Sequence, residues 1–91
     1  MERDDLERRY FELGNELPKI YPKLSFDNHC YWRISLDTIV GDKWNKKIKS
    51  PAYKNLSLTQ LDGVVTRLTC YKSEKETLLQ DNLKSLEYRK R

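Results

Sequence analysis

The stretch Leu56-Ser57-Leu58-Thr59-Gln60-Leu61 fixes a helix start more tightly than any other segment of this chain constrains its backbone. Ser57 at the N-cap can accept from the Gln60 backbone, the Gln60 amide can reach back to the Ser57 N–H, and Leu56 and Leu61 form a hydrophobic staple. Beyond it, Leu61, Val64, Val65, Leu68 and Tyr71 recur at helical spacing and predict one apolar face over residues 58–72. Everything else in a chain of 91 residues has to pack against that face, because a second independent core would not fit. One domain over residues 1–91 is expected.

Three further segments carry the helical period. Leu6, Tyr10, Leu13 and Leu17 trace a narrow stripe, with Asp4, Asp5 and Glu7 in the first turn where the helix dipole favours negative charge. Gly14-Asn15 and Pro18 then read as its end, giving a first helix over 3–14. Ser73 with Glu76 resembles a second capping box, which opens a helix over 74–88 or marks a kink in a continuous one and turns Leu79, Leu83 and Leu86 inward.

Residues 30–36 are ambiguous. Cys30, Trp32, Ile34 and Leu36 alternate with polar residues as a half-buried strand would. A helix instead aligns Trp32, Leu36, Val40, Trp44 and Ile48, and this series outlasts the alternation. A strand would also need a pairing partner, and no other segment offers one. The reading is therefore a helix capped by Ser25 and running over 26–49, with Gly41 inside it as a bend or close crossing. Trp44 then belongs to the core stripe. The fold class is all-α, with three to four helices.

Charge supplies the functional clue. Residues 43–54 hold five lysines (Lys43, Lys46, Lys47, Lys49 and Lys54) and no acid, whereas residues 1–16 hold six acids and three bases. A lysine surface selects anionic partners through point charges, with little sequence choice and a steep salt dependence. Tyr53 is the aromatic best placed to touch such a partner, and Arg89, Lys90 and Arg91 extend the basic surface at the other end. The leading expectation is a small basic, non-enzymatic binding protein whose partner is most simply nucleic acid. The alternative is a protein-interaction adaptor or homo-oligomer in which the acidic first helix meets an oppositely charged lysine surface.

Catalytic chemistry is not suggested. The three glycines stand apart, so no phosphate loop forms, and no serine lies in a GxSxG elbow. His29 and Cys30 are neighbours on a helix, which points their side chains about 100° apart. Neither CxxC nor HxxxH occurs, so neither metal nor cofactor is expected. No apolar run approaches the roughly 18 residues of a membrane span. Without a signal-peptide pattern, a cytoplasmic location with Cys30 and Cys70 as free thiols is expected.

The runs Asn28-His29-Cys30-Tyr31-Trp32-Arg33-Ile34-Ser35-Leu36-Asp37, Gly41-Asp42-Lys43-Trp44 and Pro51-Ala52-Tyr53-Lys54-Asn55-Leu56 resemble a group of small uncharacterised cyanobacterial proteins. The resemblance spans residues 26–91. It implies an all-helical fold and a cyanobacterial source, and some relatives carry a GNAT-type acetyltransferase label. The glycine-rich R/Q-x-x-G-x-G/A cofactor turn of that label has no counterpart here, so no functional residue is carried over.

Overall fold

The computed structural model describes residues 2–90, and among them there are five α-helices and no strand. These are α1 (Arg3–Ile20), α2 (Asn28–Val40), α3 (Ala52–Asn55), α4 (Leu58–Tyr71) and α5 (Lys75–Lys90), with short 3₁₀ turns at Pro22–Leu24 and Trp44–Lys46. The ambiguous residues 30–36 are helical. None of the helices is long and apolar enough to cross a membrane.

α4 begins where its signal lies. Ser57 accepts from Gln60 N at 3.1 Å, and Gln60 Oε1 accepts from Ser57 N at 3.0 Å. Leu61, Val64, Val65, Leu68 and Tyr71 are buried, and α1 lays Leu6, Leu13 and Leu17 against the same core.

α1 does not stop at Gly14 but runs on through Pro18 to Ile20. The fully buried Leu17 anchors its last turn, whose end is closed by Tyr21 N donating to Leu17 O. Tyr21 then donates its hydroxyl to Tyr71 O at 2.7 Å, satisfying a carbonyl at the end of α4. These contacts hold the turn although Pro18 can donate no backbone hydrogen bond. Gly14 has another purpose. A Cβ there would overlap the Trp32 indole, so only glycine lets the ring lie against the α1 backbone. In that position Trp32 Nε1–H donates to Tyr10 O at 2.9 Å.

α2 is the central helix, packed against α1, α4 and α5. It is shorter than the expected 26–49. Asp27, not Ser25, is its N-cap and accepts from Cys30 N, while Ser25 adopts a left-handed conformation. Gly41, also left-handed at φ 81°, ends the helix by donating its N–H to Asp37 O. The fully buried Asp37 carboxylate then accepts from Trp44 N at 2.9 Å and folds the following residues back over the helix end. Trp44 thus sits on a 3₁₀ turn, half-buried against the core, rather than on α2.

α5 reverses its expected orientation. Leu79, Leu83 and Leu86 are exposed, Leu83 at 64%, and the inward residues are Leu78, Asp81 and Ser85. The α5 contact is correspondingly polar. Asp81 takes two hydrogen bonds from Arg67 at 2.6 and 2.9 Å and one from the Tyr71 hydroxyl at 2.6 Å. Asp37 takes Ser85 Oγ at 2.6 Å and Arg89 Nε at 2.9 Å, and Arg33 donates to Asn82. The Ser73–Glu76 box does not form. Ser73 leans back towards Cys70 O, and the helix opens at Lys75.

Candidate nucleic-acid interface

A groove of about 590 Å³ opens where α1, α2 and the segment 43–54 meet. One wall is aromatic. Trp32 stacks on the buried Tyr10 with ring centroids 5.2 Å apart and planes 7° from parallel. Phe11 meets Trp32 edge-on at 5.5 Å and Tyr53 at 4.7 Å, and His29 meets Trp32 at 5.4 Å. The buried Tyr10 ring holds Trp32 by stacking, and the edge contacts of Phe11 link Trp32 to Tyr53.

The lysine segment contributes Trp44, Ser50, Pro51, Ala52 and Tyr53 to the lining, with Tyr53 packed on Phe11, while its lysines lie outside the lining. That segment is irregular but fastened. Asn55 donates to Lys49 O and Pro51 O at 3.0 and 2.9 Å. Arg3 donates to Tyr53 O and Lys54 O, both at 3.0 Å.

The predicted residues fall as follows. Lys46, Lys47, Lys49 and Lys54 are exposed and Lys43 is half-buried. Lys46 is paired with Asp42 at 3.8 Å, and among the described residues the other four form no salt bridge. Lys54 Nζ stands 5.9 Å from the Tyr53 ring centroid. Arg89 reaches the same groove, yet its guanidinium is held by Asp37 at 2.9 Å, so its charge is largely balanced. Lys90 is exposed at the end of α5, and Arg91 lies outside the described residues. The lysine segment and the end of α5 are therefore neighbours, bridged by Asp37.

Sequence reasoning missed Phe11, Trp32 and Arg33. Phe11 falls off the Leu6–Leu17 stripe, and that off-face position was the available signal for an exposed ring. Arg33 lines the groove, but its Nε is buried and makes no hydrogen bond to the described residues, while its other end holds Asn82. Asp27 also borders the groove, but its carboxylate is committed to the α2 cap, and the Cys30 N–H holds its pKa below the ordinary value. Cys30 and Cys70 are free, and the Cys70 thiol is pushed up by donating to Glu74 at 2.8 Å.

Comparison with protein-family models, with curated proteins and with solved structures returns no match.

Proposed function

We propose that this protein is a small non-enzymatic binder of single-stranded nucleic acid, taken along the aromatic groove with its phosphates on the neighbouring lysines. One observation carries the reading: the segment that bears the five lysines also contributes Trp44 and Tyr53 to a groove lined by Phe11 and Trp32. Cationic edges beside stacking rings are the two parts that sequence-tolerant strand binding requires. A duplex satisfies only the first part, since its bases are already stacked. The reduced, cytoplasmic setting expected for two free thiols agrees with such a partner.

The adaptor reading stands second. Its acidic helix is largely balanced from within: Arg8 bridges Asp5 and Glu12, Arg3 pairs with Glu7, and Lys72 pairs with Glu16. That leaves α1 a weaker field than its composition suggests.

The test is a salt series with a labelled single strand and a duplex of equal length, read by anisotropy and by Trp32 and Trp44 emission. The single strand should bind more tightly and quench the emission. Three to four phosphate contacts give a log–log salt slope of roughly −2 to −3. Lys46→Glu with Lys47→Glu should lower affinity about tenfold or more and flatten that slope. Phe11→Ala should weaken binding at every salt concentration without changing the slope. Absence of binding in dilute salt, or indifference to the double charge reversal, would overturn the proposal.

A further inference from the structure

α5 has two faces, and the docked one is polar. Leu78, Asp81 and Ser85 point into the molecule, so the apolar residues at helical spacing, Leu79, Leu83 and Leu86, lie on the side facing away. Leu83 is the most exposed large hydrophobic residue described, at 64%. The steps of four and three between these leucines are those of a coiled-coil seam.

The charges beside the seam specify what covers it. Glu76 lies seven residues before Leu83 and Lys90 seven after it, both on the leucine side of the helix. Both are exposed, and neither forms a salt bridge among the described residues. Let a second α5 pack against the first, antiparallel, about a two-fold axis through Leu83. Leu83 then meets its own copy, and Leu79 meets Leu86 of the second chain. Glu76 meets Lys90 twice, once at each end. On the other flank Gln80 comes beside Glu87, a donor beside an acceptor. The parallel arrangement instead sets Glu76 against Glu76 and Lys90 against Lys90, which like-charge repulsion disfavours. The pattern is self-complementary in one orientation only, as a two-fold symmetric contact requires.

We infer that the leucine face of α5 is a homodimer seam, closed by an antiparallel second copy with Glu76–Lys90 pairs at both ends. Three leucines a side place this contact at the small end of specific interfaces, below about 1,200 Å² in total, so dissociation on the order of tens of micromolar is expected. α5 reaches the groove through Arg89, which belongs to its docked face, so the seam leaves both grooves open. The inference is therefore independent of the nucleic-acid reading.

Sedimentation equilibrium from about 10 to about 500 µM tests it, with mass read against concentration. The native chain should pass from monomer to dimer. Leu83→Asp should remain monomeric with unchanged helical circular dichroism, since that side chain is already in solvent. Glu76→Lys and Lys90→Glu should each weaken the dimer about three- to tenfold, and the two together should restore it. Three outcomes would overturn the inference: a monomer throughout, a dimer that survives Leu83→Asp, or a double swap no tighter than the single changes.

Discussion

The α1–α4 contact and the α5 contact solve the same packing problem with opposite materials. Between α1 and α4 the buried residues are Leu6, Leu13, Leu17, Leu61, Val65 and Leu68, joined by shape and removal from water. α5 is held by Asp81 on Arg67 and Tyr71, by Asp37 on Ser85 and Arg89, and by Arg33 on Asn82, with Leu78 as its fully buried apolar contact. Apolar packing degrades gradually as methylenes are removed. A buried charge pair fails abruptly, because losing one partner strands the other away from water. The two ends of this small molecule should therefore respond differently to the same kind of insult.

The largest expected effect comes from Asp37→Ala, which removes the acceptor for Ser85, Arg89 and Trp44 N together. Breaking a buried pair of this kind costs about 3–5 kcal/mol. Hydrogen exchange should show α5 losing protection before α1 and α4 do. Uniform loss across all helices would break the comparison, because it would make the polar contact as integral to the core as the leucines.

Gly14→Ala probes the other side. Alanine is the better helix former by about 1 kcal/mol, yet its Cβ would enter the Trp32 ring. Overpacking of about 1–3 kcal/mol should win, giving a net loss of up to about 2 kcal/mol in urea unfolding and a red shift in tryptophan emission.

Alkali tests both regions at once. Burial raises the pKa of Tyr71, helped by its hydrogen bond to Asp81, and burial likewise raises Tyr10 and pushes Tyr31 to about 12. An unfolded tyrosine ionises near pH 10, whereas these stay protonated in the fold. Stability should thus hold below about pH 10 and fall above it, by up to about 1.4 kcal/mol per pH unit for each such tyrosine. Tyr71→Phe should make the fall shallower. Parallel curves for the variant and the native chain would mean that Tyr71 ionises freely in the fold.

The smallest effect belongs to Tyr31→Phe. The Tyr31 hydroxyl is buried without a hydrogen-bond partner among the described residues, so its removal should be neutral or stabilising by about 1 kcal/mol. A clear destabilisation in urea unfolding would show that the hydroxyl is satisfied in solution.

The same contrast explains what could be read from the residues alone. α4 was legible because its start is specified within six residues and its buried face is one-sided. α5 was read half a turn out, since periodicity counts leucines as inward, whereas its docked face depends on Arg67 and Asp37, 14 and 48 residues from their partners Asp81 and Ser85. α2 is covered by three helices, which blurs its 3.6-residue contrast and makes it imitate a strand. Gly14 and Gly41 exchanged roles: the expected stop is a seat for Trp32, and the expected mid-helix glycine is the stop. At the groove, the lysines announce themselves as charge. Phe11, Trp32 and Arg33 become one wall only when α1 and α2 cross.

Arg3 couples the first turn of α1 to carbonyls fifty residues further along, at Tyr53 and Lys54. A tag or fusion joined immediately ahead of α1 would strain that tether and loosen the basic rim without touching any ring. Cargo attached there should thus be felt fifty residues away in sequence, and moving the attachment point away should relieve it.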